Sequence, residues 1–283
     1  MEPARPVCDS YAVIGNPIGH SRSPIIHASF ATQTGQDIEY TAIESTPERF
    51  ADDVRAFRAR GGRGMNVTTP FKLLAFELAD TRSERALQAG AANTLCFEQG
   101  RIIAENFDGV GLVTDIQRNL GFSLAGRRIL MLGAGGAVRG ALMPILAESP
   151  AELVIANRHA ERATALTAAL GPLTAAQTAV RGCSLDGIGS LPYDLVINGT
   201  SASLGSELPA IDPGAFSATG MAYEMVYGRG LTPFLKLAQR AGVTRLADGI
   251  GMLVEQAAEA FLRWRGVRPA TRAVIAQLTV PLV

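Results

Sequence analysis

Lys72 closes the segment Asn66-Val67-Thr68-Thr69-Pro70-Phe71-Lys72, which joins a strand-like run to a helix-like one. With Thr69 as cap and Pro70 at the first helical position, Lys72 falls in the first turn. A cation there opposes the helix dipole, and an amine so placed can exchange a proton with a substrate oxygen. The plain structural reading is a surface lysine that reaches away from the helix end. Asp108, in Asn106-Phe107-Asp108-Gly109, can cap the helix that follows, or it can orient a substrate hydroxyl and partner the lysine ammonium. Ser23, before Pro24, reads first as a helix cap. Together with Ser21, at a helix N-terminus, it also suits a carboxylate ligand. His20 and His27 flank that segment and read as packing or capping residues.

A second chemistry lies in the glycine-rich run Gly133-Ala134-Gly135-Gly136-Ala137, between the strand-like Arg-Ile-Leu-Met-Leu at 128–132 and an apolar helix. A strand, a glycine turn and a helix start aim backbone N–H groups and a positive dipole end at a diphosphate. Val138 stands where a GxGxxG fingerprint has its third glycine. The next strand, 152–156, ends at Asn157-Arg158. A fold selective for NAD places an acid there for the ribose 2′-OH, whereas Arg158 and Arg162 would attract a 2′-phosphate. Both arginines are assigned to a first helical turn, where a bound anion would relieve their opposition to the helix dipole. NADP is the expected cofactor.

The elements that must position these residues alternate. Strands are expected at 11–14, 38–43, 64–67, 128–132, 152–156, 194–198 and 220–223. Helices are expected to begin at Pro24, Pro47, Pro70, Gly109, Ala137, Glu161, Thr232 and Gly251, with one more after Pro269. Such alternation reads as α/β with largely parallel sheets. The helix from Gly251 carries Leu253, Ala257, Ala260, Phe261 and Trp264 at helical spacing.

Composition sets the outer limits. The chain has 283 residues, enough for two domains at roughly 100–200 residues each. Hydrophobic residues make up 47%, which excludes a disordered chain, and the formal net charge is zero. That balance gives no support for a nucleic-acid or membrane-surface partner, so a small substrate is expected. Cys8, Cys96 and Cys183 are far apart and form no CxxC pair, which fits a reducing cytoplasm better than a disulfide framework. They make no metal-ligand pattern with His20, His27 and His159, and no metal is expected. The first ten residues hold two acids and two prolines where a signal peptide needs an apolar run. The longest uncharged stretch, 163–180, is broken by Gly171-Pro172 and is too weakly apolar to span a bilayer.

Taken together, these segments resemble the shikimate dehydrogenase family, in order and over nearly the whole chain. The matching runs are GNPIGHSRSP (15–24), NVTTPFK (66–72), AGAANTL (89–95), DGVGL (108–112) and GAGGAVRG (133–140). They continue with NRHAER (157–162), INGTSASL (197–204), YEMVYG (223–228) and DGIGMLVEQAA (248–258). The glycine loop is common to many dehydrogenases, but the SxSP, NVTxPFK and GMLVxQA elements together are specific.

The resemblance implies an N-terminal α/β substrate domain, 1–107, completed by the C-terminal helices, 249–283. Between them it implies a Rossmann-type NADP-binding domain, 108–248. It further implies NADPH-dependent, reversible reduction of 3-dehydroshikimate to shikimate in aromatic amino-acid biosynthesis, by a monomer or homodimer. Residue by residue, Lys72 matches the catalytic lysine and Asp108 its partner. Ser21 and Ser23, with Tyr227 nearby, match the groups that hold the substrate carboxylate. Thr68, Asn93 and Gln256, along with Lys72 and Asp108, match those that bind the ring hydroxyls. Gly133, Ala134, Gly135, Gly136 and Ala137 match the diphosphate loop, and Asn157, Arg158 and Arg162 the adenosine-phosphate site. Thr200, Met225 and Gly249 match positions near the nicotinamide half, and Glu84 one that can border the cofactor.

The chain departs from the family pattern at Phe107, in place of a threonine, at His159, in place of a threonine, and at Glu224, in place of an aspartate. Phe107 loses a hydroxyl at the pocket edge, and a protonated His159 could partly replace the hydroxyl lost near the 2′-phosphate. Two alternatives are an NAD-accepting quinate/shikimate dehydrogenase and a non-catalytic NADP-binding sensor of the same fold. Arg158 and Arg162 argue against the first, having no negative partner when NAD is bound. Retention of Lys72 and Asp108 argues against the second.

Overall fold

The expected strand–helix alternation is present in a computed structural model of the chain, which describes residues 8–170, 178–200 and 210–282. The start of the N-terminal segment, the Gly171-Pro172 break and the end of the INGTSASL run lie outside the described residues. Two compact units form. The first contains the chain up to Asp108 together with Val254–Val274, and the second contains Gly109–Leu253 and the chain from Ile275.

In the first unit, β1 (Asp9–Gly15), α1 (Ser23–Thr34), β2 (Ile38–Glu44), α2 (Phe50–Ala59) and β3 (Gly62–Val67) alternate. They are followed by α3 (Lys72–Leu78), β4 (Thr81–Arg82), α4 (Glu84–Ala89), β5 (Thr94–Glu98) and β6 (Arg101–Glu105). The sheet order is β2-β1-β3-β5-β6-β4. It is parallel through β2, β1 and β3, then antiparallel through β3, β5 and β6. The β5–β6 part of that departure from a largely parallel sheet follows from the connection Gln99-Gly100. Both residues have positive φ (48° and 78°), as a tight hairpin turn requires, so β6 must run back along β5. One sheet face buries Ala12, Ile14, Met65, Val67 and Leu95 under Phe50, Val54, Phe57 and Phe71.

The second unit begins with α5 (Asp108–Thr114), whose first residue belongs to the first unit. It continues through β7 (Arg128–Leu132), α6 (Gly136–Ala147), β8 (Glu152–Ala156), α7 (Ala160–Leu170) and β9 (Ala179–Cys183). Next come β10 (Tyr193–Asn198), β11 (Phe216–Glu224), α8 (Pro233–Arg240) and β12 (Arg245–Asp248). The chain ends with α9 (Ile250–Arg265) and α10 (Arg272–Leu278). Here every pairing is parallel, in the order β12-β11-β10-β7-β8-β9. Side chains alternate between two cores: Ile129, Met131, Leu153, Ile155, Leu195 and Ile197 on one face, Leu130, Leu132, Val154, Ala156 and Val196 on the other. Burial on both faces is why these strands read as continuous apolar runs.

The unit limits differ from those expected at 107/108 and 248/249. Asp108 groups with the first unit, where its carboxylate is bonded. Residues 249–253 group with the second, where a Cβ on Gly249 would fall 2.2 Å from the Met225 carbonyl oxygen. The chain end joins the second unit as well, with Leu282 packed on its core.

Two cap assignments are corrected. Thr69 does not cap α3, and Pro70 does not open it. Phe71 takes the cap position, its fully buried ring stacked on Phe50 at 5.0 Å, and the helix starts at Lys72. Arg22 rather than Ser23 precedes α1, with no side-chain capping bond, and Ser23 is already its first residue. Arg158 also falls outside α7, so that Arg162 alone occupies the first turn.

Candidate active site

In the first unit, Lys72 opens α3 directly after the β3 turn, which is pinned by Thr68 N–H to Ile14 O (3.0 Å) and Asn16 N–H to Thr69 O (3.0 Å). Gly15 lacks a side chain because a Cβ would lie 2.4 Å from the Thr68 methyl. Lys72 Nζ donates to Asp108 Oδ2 at 2.7 Å, and the side chains are 18% and 6% exposed. Asp108 therefore spends its carboxylate on the ammonium rather than on a cap, while its own N–H donates to Asn106 Oδ1 (3.1 Å). Its other oxygen accepts from Asn93 Nδ2 (2.9 Å), and Asn93 Nδ2 also reaches Gln256 Oε1 on α9 (3.1 Å).

The Asn93 amide has one possible orientation. Its Oδ1 accepts from Phe107 N–H (2.9 Å) and Thr94 Oγ1 (3.0 Å), and a backbone N–H can only donate. Phe107 thus contributes its backbone to the cluster. Its ring is buried, with the Arg85 guanidinium 5.0 Å above it.

A hydrogen-bonded chain continues from Asn93 toward the serines. Thr94 Oγ1 accepts from Asn66 Nδ2 (3.1 Å), and Asn66 Oδ1 accepts from Tyr40 (2.7 Å) and bonds His27 Nε2 (3.1 Å). Tyr40 also shares a side-chain hydrogen bond with Ser23, and burial pushes its phenol well above the usual range. Ser21 Oγ accepts from Ser23 N–H at 3.3 Å. None of Tyr40, Asn66 or Thr94 stands out as a site residue in the sequence, although Asn66 begins the NVTTPFK run.

His27 is fully buried, stacked on Tyr40 at 4.1 Å, and its Nδ1 has no hydrogen-bond partner among the described residues. Burial depresses its pKa from 6.5 to about 3, against the opposing effect of Asn66. The unfolded chain therefore binds a proton below about pH 6.5 that the folded chain refuses, so stability is complete above that pH and falls with acid. By pH 5 the loss attributable to His27 is expected to be about 2 kcal/mol. Urea unfolding at pH 7.5 and pH 5 should show this loss in the wild type and not in His27→Phe. An equal loss in both would mean that the folded imidazole takes up the proton.

In the second unit, the last residues of β8, β7, β10, β11 and β12 (Ala156, Leu132, Asn198, Glu224 and Asp248) are in register. Asn157, Gly133, Thr200, Met225 and Gly249 follow them, so these cofactor candidates share the C-terminal edge of the sheet. Strand order reverses between β7 and β10, and such a switch point is where open α/β sheets bind ligands. Gly133 has φ +108°, and a Cβ there would approach Gly199 O at 3.1 Å. Gly135 precedes α6, followed by Gly136 and Ala137, and a Cβ on Gly135 would meet no atom within 4 Å. Ala134 packs partly on the core. Arg158 and Arg162 are exposed, and neither makes an ion pair among the described residues. Open space over a glycine turn, with two uncommitted guanidinium groups, fits a dinucleotide carrying a 2′-phosphate. His159 lies 3.8 Å from Glu161.

Two residues stand apart from their expected groups. Tyr227 lies in the second unit, beyond β11, while the other substrate candidates are in the first. Glu84 opens α4 in the first unit, is exposed and accepts from Gln88. Among the described residues no group of three or more His, Cys, Asp or Glu could hold a metal ion. No helix among them is long and apolar enough to cross a membrane.

Fold and sites define a two-unit α/β protein with a Rossmann-type sheet in one unit and a lysine–aspartate cluster in the other. Residues 13–95 match the shikimate dehydrogenase substrate binding domain, and residues 249–279 the shikimate 5′-dehydrogenase C-terminal domain. A shikimate dehydrogenase (NADP(+)) of Aromatoleum aromaticum is 54% identical, over 95% of this chain and 96% of the relative. The chain belongs to the shikimate dehydrogenase family. Among solved structures, an Ael1 enzyme from Pseudomonas putida matches with a TM-score of 0.90 and 56% identity, over 97% of this chain and 100% of that one. Shikimate 5-dehydrogenase from Thermus thermophilus, in complex with NADP(H) and shikimate, matches with a TM-score of 0.83 and 28% identity, over 95% and 97%.

Proposed function

We propose that this protein is an NADP-dependent shikimate dehydrogenase, reversibly reducing 3-dehydroshikimate to shikimate. The observation that carries this reading is the 2.7 Å Lys72–Asp108 pair, set among Asn93 and Gln256 in a chain of this family. The unit with Lys72 binds the substrate, and the Rossmann-type unit binds NADP. When bound, NADPH supplies the hydride that reduces the C3 carbonyl.

Lys72 donates the matching proton to the C3 oxygen, and in the reverse direction its amine accepts it. Asp108 holds the ammonium in place and accepts from a neighbouring ring hydroxyl. Asn93, Gln256 and Thr68 orient the remaining hydroxyls, and Ser21 and Ser23, with Tyr227, bind the carboxylate. Backbone N–H groups from Gly133 to Ala137 hold the diphosphate. Arg158 and Arg162, beside Asn157, hold the 2′-phosphate. Thr200, Met225 and Gly249 border the nicotinamide half, with Glu84 at the cofactor's margin. A cytoplasmic location agrees with three free cysteines, and the enzyme acts as a monomer or homodimer.

The test is oxidation of NADPH and of NADH with 3-dehydroshikimate. Turnover is expected with NADPH and a much weaker reaction with NADH. Equal use of both would remove the 2′-phosphate argument, and no turnover with either would overturn the enzymatic reading.

A further inference from the structure

Glu224 ends β11 and is fully buried, yet its carboxylate serves no step of the proposed reaction. Three of its contacts reach residues at or beyond the C-terminal edge of the second sheet. Asn198, its register neighbour at the end of β10, donates Nδ2 to both carboxylate oxygens (3.2 and 3.1 Å). Val226 N–H donates to Oε1 (3.3 Å), and Thr232 Oγ1, which caps α8, donates to Oε2 (3.0 Å).

These donors fix the Asn198 amide. A carboxylate accepts and cannot donate, so Nδ2 must face Glu224 and Oδ1 must face the other way. There Oδ1 accepts from both Thr200 N–H (3.1 Å) and Thr200 Oγ1 (2.7 Å). The direction of the Thr200 hydroxyl is therefore set two residues upstream, by an acid on the adjacent strand. The Val226 bond ties the residue next to Met225 to the same carboxylate.

We infer that Glu224 is a positioning residue for the nicotinamide end of the cofactor site, acting on Thr200 through Asn198 and on Met225 through the neighbouring Val226 N–H. The inference rests on the NADP-dependent activity proposed above. Glutamine at this position keeps the shape but replaces an acceptor oxygen with an N–H donor. Of the two bonds from Asn198 Nδ2, at most one then survives, and the weaker hold lets the Asn198 amide turn over, which would point N–H at the Thr200 N–H.

The test uses the full-length protein with NADP+ and shikimate. Glu224→Gln should raise the KM for NADP+ about ten-fold, the scale of one buried hydrogen bond lost. The KM for shikimate should stay within about two-fold, since binding of that ligand is not addressed. Thr200→Val, which leaves the buried core unaltered, should reproduce the selective rise. The double variant should cost little more than either single change, because both break one chain of bonds. Equal rises in both KM values, additive effects, or a Thr200→Val variant with wild-type KM for NADP+ would overturn the inference. If Glu224→Gln does not fold, the Thr200→Val result alone decides. Failure of the underlying activity would be seen separately, as a wild-type protein without turnover, and this inference would fall with it.

Discussion

Lys72→Ala is expected to lower kcat by about 10²- to 10⁴-fold, the range contributed by a positioned general acid. Lys72 is the cation in the cluster, held 2.7 Å from Asp108, and the amides of Asn93 and Gln256 cannot supply a proton at neutral pH. The variant should remain folded. Asp108 keeps its bond from Asn93, and its place as the first residue of α5 gives the carboxylate some compensation from the helix N-terminus. Steady-state kinetics with shikimate and NADP+ check the result, with thermal unfolding as the control for folding. A fall of less than about ten-fold would show that the proton comes from elsewhere.

Arg158→Ala has the second largest expected effect, and its value is in the contrast between cofactors. A guanidinium bound to a phosphate is a charge-assisted pair, so its loss should raise the KM for NADPH by about 10-fold or more. The KM for NADH, which has no 2′-phosphate, should barely move. Arg158 is exposed and makes no ion pair among the described residues, so the substitution breaks no structural bridge. Salt should narrow the contrast, because an exposed charge pair is screened. Parallel changes with both cofactors would make Arg158 a structural residue.

The sequence was most legible where one segment's surroundings are uniform. The runs at 128–132 and 152–156 are strands with the expected limits, because a parallel strand covered on both faces is apolar throughout. The helix expected from Gly251 begins one residue earlier, since its apolar spacing spans several turns. The short strands β4, β5, β6, β9 and β12 are not among the expected ones. The charged ends and brief apolar stretches of β5, β6 and β12 look like loop, and only pairing with neighbours makes them strands. Thr69 and Ser23 misled as caps because proline after a polar residue signals a helix start. At Thr69 the docking of Phe71 into the core delays the helix to Lys72.

Lys72, Asp108, the glycine turn and Arg158 all announce themselves by residue type and local spacing. What chemistry they could do follows from the chain alone, because backbone turns, helix ends and formal charges depend on near neighbours. The fold settles the partners. Asn93 bonds Asp108, Gln256 meets Asn93 from a distant segment, and Phe107 N–H and Glu224 determine which way two asparagine amides point. His27 is held neutral only because Phe30, Tyr40, Phe261 and Trp264 enclose it. Desolvation and hydrogen-bond direction arise from contacts between remote parts of the chain, and no local pattern of residues encodes them.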